Sequence, residues 1–429
     1  METGGYALLK NVRLLHPDHK SVENCDIFFS QRSQSGTSRI LQIGQNLSLP
    51  EDQPIKLYAG ASRSFCKAFI DTACYIPNRG GRYGETYVSA VRAALSGGFS
   101  TVCLLPSPGN SLDTPQSVAK LVRGSNNQDV RFFPIASLVA EDRGRYHTVD
   151  CSMMKKAGAI ALTFPENKPV PQILRMEAME LAAREDMVVF CPVAGNPFSE
   201  MGQVNKGRIA KLLHVRGIPG CGELLSLSES ILLAEESGCR IHVPVISLAK
   251  SVQYVRDAKK RGVKITCGTA AQYFSLTEDD LIFRGVNAKL DPPLRSAEDR
   301  AAIAEGLCDG TIDCITSDHR PSTKEEKGSD IASGAFGAAG LETAFAAGFT
   351  FLVLTGKMDL YTLLQKFTTA PASILGLSGT PCEGGRMDLV MIDEEKEMIY
   401  TNNTLRGRAI NTPYYGMALR GDVDGRYIL

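Results

Sequence analysis

Neither sign of charge is in excess in this chain. Lys and Arg together number 47, Asp and Glu 47, and the net charge at pH 7 is +0. Binding to nucleic acid or to an anionic membrane leans on clustered positive charge. No basic run here exceeds a few residues, so neither is an expected partner. Long apolar runs are missing as well: nothing approaches the ~18 consecutive apolar residues of a spanning helix. The N-terminal stretch lacks the layout of a signal peptide, because Asn11, Arg13, His16 and Asp18 interrupt any apolar centre and Lys20 and Glu23 continue the charge. The twelve cysteines, from Cys25 to Cys382, form no CxxC pair. In a chain this long they read as reduced thiols, which points to a cytoplasmic protein. Cys103, Cys267 and Cys314 lie in apolar runs and are expected to be small buried hydrophobes. Histidine is scarce too: His16, His19, His147, His214, His242 and His319 are all there is, with no HxH or HExxH pair among them.

What is present is enough for a large core. The 429 residues are 43% apolar and 22% charged, ordinary for a globular protein and long enough for a barrel with an appendage. Both ends read as short strands. Tyr6–Val12, Asp26–Ser30 and Arg39–Gly44 precede Pro50, while Asp388–Asp393 and Lys396–Tyr400 precede a polar, Gly-punctuated tail. One composite β domain from residues 1–56 plus 379–429 is expected, with residues 57–378 as a second domain. In that central block, apolar runs such as 99–105, 129–136, 160–164, 187–191, 240–246, 263–267 and 314–316 are interleaved with amphipathic stretches such as 226–237 and 249–261. Repeated strand–helix alternation implies a parallel sheet. Roughly eight units favour an α/β fold of the (β/α)8 TIM-barrel type, with chemistry at the C-terminal ends of the strands.

Those ends carry recognisable blocks. The first barrel strand reads Lys67-Ala-Phe-Ile-Asp71-Thr-Ala73-Cys74-Tyr75-Ile. Later come Asn287-Ala-Lys-Leu-Asp291-Pro-Pro-Leu-Arg295, Ile315-Thr-Ser-Asp318-His319-Arg320-Pro321, Glu325-Glu-Lys327 and Phe336-Gly337-Ala-Ala-Gly-Leu341-Glu342-Thr343. Their order and spacing resemble the blocks "GFIDxHxHxR", "NxKxNPPLR", "TDHAPH…EK" and "FGxxGLET" of type I dihydroorotases in the amidohydrolase superfamily, and the resemblance covers nearly the whole chain. It implies a (β/α)8 barrel with a β-sandwich made from the two ends. It also implies the interconversion of carbamoyl-aspartate and dihydroorotate in pyrimidine synthesis, on a binuclear zinc site that polarises the amide and supplies hydroxide.

Carried over residue by residue, that zinc site is missing its ligands. The histidines of HxH fall on Ala73 and Tyr75. The turn bearing the bridging carboxylate falls on Thr163–Glu166, and the next two histidines fall on Pro192 and Val245; only the final aspartate, Asp318, remains. Side chains alternate along a strand, so residues 73 and 75 share the face where ligands would sit and Cys74 points away. Alanine, proline and valine offer no donor atom, and one carboxylate does not hold zinc against water. No zinc and no other cofactor is therefore expected. The implied substrate contacts are eroded too. Pro77 replaces the arginine of HxHxR, with Arg79 and Arg82 just downstream. Ser107 stands at the asparagine of an "MPNT" loop, Asp291 at the asparagine of NPPLR, and Ser322 at the second histidine of DHAPH.

Asp318 is left as a vestigial catalytic residue. Asp291, Phe336, Gly337, Ser107 and Arg79 are left as candidate substrate contacts. Against these stand blander readings: Asp318 as a structural carboxylate paired with Arg320 or Lys289, His319 as a hydrogen-bonded strand-end residue, His242 as a satisfied core histidine, and Glu325–Lys327 as a solvated loop or vestigial lid. The expectation is a homologue without the hydrolase activity that acts as a structural or regulatory partner, with aspartate transcarbamoylase as the partner the resemblance implies, and that forms a homo-oligomer. Two alternatives stay open: a divergent amidohydrolase acting on a cyclic amide or carbamoyl compound, and a sensor that binds a pyrimidine intermediate.

Overall fold

The structure, a computed structural model, describes residues 5–31, 37–50, 52–77, 84–125 and 129–425. Eight parallel strands build the centre: β1 (Phe69–Cys74), β2 (Phe99–Leu104), β3 (Arg131–Ser137), β4 (Ala161–Thr163), β5 (Val189–Phe190), β6 (Ile241–Val243), β7 (Ile265–Ala270) and β8 (Cys314–Thr316). They pair in chain order, and the sheet closes where Cys74 bridges His319 and the Tyr75 N–H donates to the His319 carbonyl at 2.9 Å. The strands are short and apolar, and β1 and β2 are buried at every position, as a sheet covered on both faces requires. The Asp71 carboxylate reinforces the closure. It accepts the hydroxyls of Thr316 and Ser317 and the Ser317 N–H at 2.8 Å.

Helices cover the outside, and their starts are written locally. Thr86 and Ser89 form a capping box on the helix Tyr87–Ser96, and Ser296 and Asp299 form another on Ala297–Cys308. Asp150 caps Cys151–Ala157 through the Met153 N–H at 2.9 Å. On Ala249–Lys260 the buried positions Ser251, Val252, Val255 and Ala258 recur at helical spacing, giving one face to the barrel. Among the described residues no helix is long and apolar enough to cross a membrane.

The two ends of the chain meet in a seven-stranded sheet. Tyr6–His16 pairs antiparallel with Ser21–Ser30, which continues to Arg39–Gly44. On its other side Tyr6–His16 takes Ile55–Ala59 along its first half and Ser64–Lys67 further on, and the C-terminal strands Leu389–Ile399 and Ala418–Asp424 extend the sheet. The two strands expected within 388–400 are one, Leu389–Ile399, with the register shifting between Asp393 and Glu397. The inward side chains of both ends, among them Leu9, Ile27, Phe29, Phe65, Leu389 and Met391, form their own buried cluster. A buried ion pair, Lys67–Asp388, joins this sheet to the entry of β1, and Ser100 donates to the same aspartate at 3.0 Å.

Candidate functional site

At the C-terminal ends of the strands, four side chains converge. Tyr75 follows β1, Glu166 follows β4, and Asp318 and Arg320 follow β8. The Arg320 guanidinium donates to both Glu166 oxygens at 2.9 and 2.8 Å and, through Nε, to Asp318 Oδ1 at 3.1 Å. Its carbon lies 3.6 Å from the centroid of the Tyr75 ring, a stacked cation–π contact. The Tyr75 hydroxyl completes the set by donating to Glu166 at 2.7 Å. The backbone makes room for this. Asp318 takes φ 45°, turning the chain sharply out of β8. Gly337 takes φ +100°, and any Cβ there would lie 2.4 Å from Arg320 Cβ.

The two carboxylates differ because their partners differ. Burial works to raise Glu166, but the charge and fork of Arg320 and the Tyr75 hydroxyl outweigh it and hold its pKa below the ordinary value. Asp318 receives only Nε of the guanidinium and a long contact from Gln272 at 3.4 Å. Burial therefore prevails and pushes it up to about 7, with Arg320 opposing. Of the two carboxylates, Asp318 is the one that takes up a proton first as pH falls. Burial also raises Tyr75 far above its usual range, so its phenol stays neutral and serves as a donor.

Above this floor opens a cavity of about 880 Å³, walled by Ser107, Asn110, Lys168, Ser322 and Phe336 among others. Ser107 is fixed by its own hydroxyl, which donates to the Ile76 carbonyl at 3.0 Å. Phe336 is backed by Lys289, whose Nζ lies 4.5 Å from the ring centroid. Lys289 itself bonds Gln203 and not Asp318, so the cation that pairs with Asp318 is Arg320. Asp291 is not in the cavity wall: its oxygens take the Gly195 N–H at 2.8 Å and the Ser199 hydroxyl at 2.9 Å. Gly337 likewise stays behind Phe336, held by its N–H on the Lys289 carbonyl at 3.0 Å. Arg79 and Arg82 fall outside the described residues.

The ligand positions implied by the resemblance can be placed one at a time. Ala73 is fully buried, and Val245 is buried. Ala73 and Tyr75 belong to one buried cluster and Cys74 to another, as strand alternation requires. Pro192 lines a neighbouring cavity of about 580 Å³, beyond the 165–168 segment. Among the described residues no three His, Cys, Asp or Glu side chains converge to hold a metal ion. This donor set does not fit a pair of divalent ions, since the two available carboxylates face a permanent guanidinium cation.

Two histidines depart from the simple reading. His242 bonds Thr266 through Nδ1 at 2.9 Å and packs on Phe190 at 4.7 Å, but Nε2 has no partner and burial lowers its pKa to about 3. His319 was expected to be hydrogen-bonded. Its ring is buried with neither nitrogen partnered, and burial lowers it to about 4; only its backbone is tied into the strand end. The stretch Glu325–Lys327 is solvated only in part: Glu325 is exposed and Lys327 is buried. It lies in a short helix, Lys324–Lys327, whose last side chain is buried and donates to the carbonyls of Lys289, Ala335 and Gly337 at 3.1, 2.8 and 2.7 Å. These three bonds brace the wall that carries Phe336.

Sequence reasoning reached Arg320 only as a partner for Asp318 and missed that its fork takes Glu166. A signal existed, since Arg320 stands at the alanine of the DHAPH block. The floor is also tightly packed from behind. A Cβ on Gly340 would lie 1.9 Å from the Ser317 carbonyl oxygen. Gly340→Ala should therefore destabilise the protein by about 1–3 kcal/mol in chemical denaturation, because the shift propagates to Asp71 and the closure of β8 on β1. An unchanged midpoint would mean that Ser317 moves freely.

Known proteins place this geometry in a family. Residues 65–251 match the model of the Dihydro-orotase-like family. A protein named dihydroorotase from Listeria innocua is 33% identical over 411 residues, 95% of this chain and 94% of that one. Another of that name from Staphylococcus aureus is 34% identical over 358 residues, 82% and 84% of the two chains. The L-hydantoinase of Arthrobacter aurescens superposes with a TM-score of 0.81 at 21% identity, over 97% of this chain and 93% of that one. The dihydropyrimidinase of Brevibacillus agri gives 0.80 at 19%, over 97% and 92%. At those identities the two structures speak for the fold: a parallel eight-stranded barrel with a sheet assembled from both ends. The sequence relatives, matched along almost the full chain, settle the kinship: this protein belongs to the dihydroorotase-like family of amidohydrolases.

Proposed function

We propose that this chain is a dihydroorotase-like protein of pyrimidine biosynthesis that lacks the binuclear zinc site, does not hydrolyse dihydroorotate, and acts as a structural or regulatory partner. Aspartate transcarbamoylase is the proposed partner, on the resemblance alone. The observation that carries the loss of hydrolysis is the Arg320 guanidinium, bound to Glu166 and Asp318 and stacked on Tyr75. The hydrolysis that the resemblance implies runs on a Lewis acid with an open position for water. A guanidinium cannot lower the pKa of water by coordination, and its fork is already used by Glu166.

The test is elemental analysis of the purified protein together with a dihydroorotate hydrolysis assay. The expected outcome is less than stoichiometric zinc and no turnover above the uncatalysed rate. About two zinc ions per chain with turnover would overturn the reading. A pull-down against aspartate transcarbamoylase tests the partner separately, and absence of co-purification would remove it.

A second reading rests on the cavity of about 880 Å³ that remains open above the cluster. Its size suits a small ligand, so the protein would sense a pyrimidine intermediate without turning it over. Thermal stabilisation by dihydroorotate with no product formed would favour this reading.

A further inference from the structure

The barrel does not build its mouth alone. Between the strands Leu389–Ile399 and Ala418–Asp424, residues 406–414 leave the terminal sheet and run without regular structure along the barrel. Their backbone is served from outside the sheet. Glu342 accepts the N–H groups of Arg406 and Gly407 at 2.7 and 2.9 Å, and Glu85 accepts those of Arg408 and Ala409 at 3.3 and 3.0 Å. Further on, Arg284 Nη1 donates to the Pro413 carbonyl at 2.7 Å, and the hydroxyls of Tyr414 and Ser275 meet at 2.6 Å. Partners of this kind give a segment outside any sheet or helix a fixed course.

Between these anchors lies Asn411, and it is buried. Its Nδ2 donates to the carbonyls of Arg320 at 3.1 Å and Gly337 at 3.2 Å, and its Oδ1 accepts the Ser322 N–H at 3.1 Å. Its own carbonyl accepts the Ala339 N–H at 3.1 Å.

The local sequence explains why a side chain is needed there. After β8 the chain runs beside 337–339: His319 bridges Ala338 in parallel register, and the Arg320 N–H donates to the Ala338 carbonyl at 2.7 Å. Pro321 has no N–H, so this pairing stops. The Arg320 carbonyl and the Ser322 N–H, on either side of the proline, turn to Asn411 instead. The task calls for two donors and an acceptor on one short side chain, which is what the asparagine amide supplies. The residues held in this way are those of the mouth. Arg320 carries the cluster with Glu166 and Asp318, while Ser322 and Phe336, the neighbour of Gly337, wall the cavity.

We propose that residues 406–414 are a strap by which the terminal sheet sets the mouth of the barrel, with Asn411 as the positioning residue for Arg320 and for the wall that carries Ser322 and Phe336. The strap is independent of what the mouth binds and of whether it hydrolyses anything.

Native-state hydrogen exchange on the full chain, read by mass spectrometry, tests it. In the natural protein, residues 406–409, 320–323 and 337–340 should share one opening free energy across a denaturant series, as a single cooperative unit. Asn411→Asp removes both donors and keeps the acceptor. At pH 7 it should speed exchange in 320–323 and 337–340 by about tenfold or more over the natural protein, the loss expected for a buried hydrogen bond. Exchange in β2 to β6 should not change. Protonation returns one donor to an aspartate, so this excess should shrink towards pH 4. Asn411→Leu has no donor to regain, and its excess should persist at both pH values. A residue that merely filled space would give the two variants the same pH profile. The proposal is overturned by 406–409 opening while 320–323 and 337–340 stay protected, by acceleration spread evenly over the barrel strands, or by an Asn411→Asp excess that ignores pH. The first of these comparisons uses the natural protein, so it decides the matter even where neither variant folds.

Discussion

Arg320→Met should lower the stability of the protein at pH 7 by about 3–5 kcal/mol, the cost of leaving buried charge without its partner. Methionine keeps much of the length of the stem and removes the cation. Glu166 then loses two charge-assisted bonds, at 2.9 and 2.8 Å, and Asp318 loses one. Tyr75 loses the group stacked on its ring. The dependence on pH separates this from a simple packing defect. In the natural protein the depressed pKa of Glu166 contributes stability above the carboxyl's unfolded value, and that contribution is lost as pH falls through the folded value. Asp318 acts in the opposite sense. Its folded pKa of about 7 exceeds the ordinary aspartate value of 3.8, so its burial costs stability progressively as pH rises between the two. Without the guanidinium both carboxylates are raised, and both penalties vanish only when the groups protonate. The gap between variant and natural protein should therefore be widest near neutrality and narrow towards pH 4. Urea titrations at several pH values measure it. A loss under about 1 kcal/mol, or a gap that does not change with pH, would mean that the cluster is an ordinary surface ion pair.

The fold was legible for a physical reason. Barrel strands are continuous apolar runs, their helices carry one apolar face, and the two periods alternate along the chain. The site was legible only where it is local in sequence. Ala73 and Tyr75 could be placed on one face by counting along β1, and Asp318 could be put at the end of β8. The partner of Asp318 two residues away was among the sequence candidates. What could not be read is that Glu166, 154 positions before Arg320, takes the fork of the same guanidinium. That contact depends on where the loops after β4 and β8 stop in space. Lys327 misled for the opposite reason. In a stretch of Lys and Glu it looks solvated, yet three backbone carbonyls compensate its burial. Asp291 reads as a charge facing a ligand, and two donors far away in sequence, the Gly195 N–H and the Ser199 hydroxyl, turn it inward instead.

Glu223 is the second place where a large effect is expected, and nothing in its sequence setting singles it out. It sits in the first turn of the helix Cys221–Ser237, where an acid looks like ordinary dipole compensation. In the structure it is buried and gathers donors from three segments. It accepts the Ser247 N–H at 2.9 Å, the Leu248 N–H at 3.2 Å, the hydroxyls of Ser247 and Ser251, and Arg295 Nη2 at 3.2 Å. One carboxylate thus fixes the end of β6, the start of the helix Ala249–Lys260 and the close of the 291–295 turn. Glu223→Gln should cost about 3–5 kcal/mol, because the amide supplies one acceptor oxygen for a site with no need of donors and leaves the buried Arg295 without its counter-charge. The double variant Glu223→Gln/Arg295→Met should recover part of that loss, since the stranded cation is gone. Arg295 also donates to Asn205 at 2.7 Å and to Ser247 at 3.0 Å, so recovery should be incomplete. If the double variant is less stable than Glu223→Gln by the full cost of Arg295→Met alone, the two residues are not coupled, and the carboxylate acts only through the serines and the helix start.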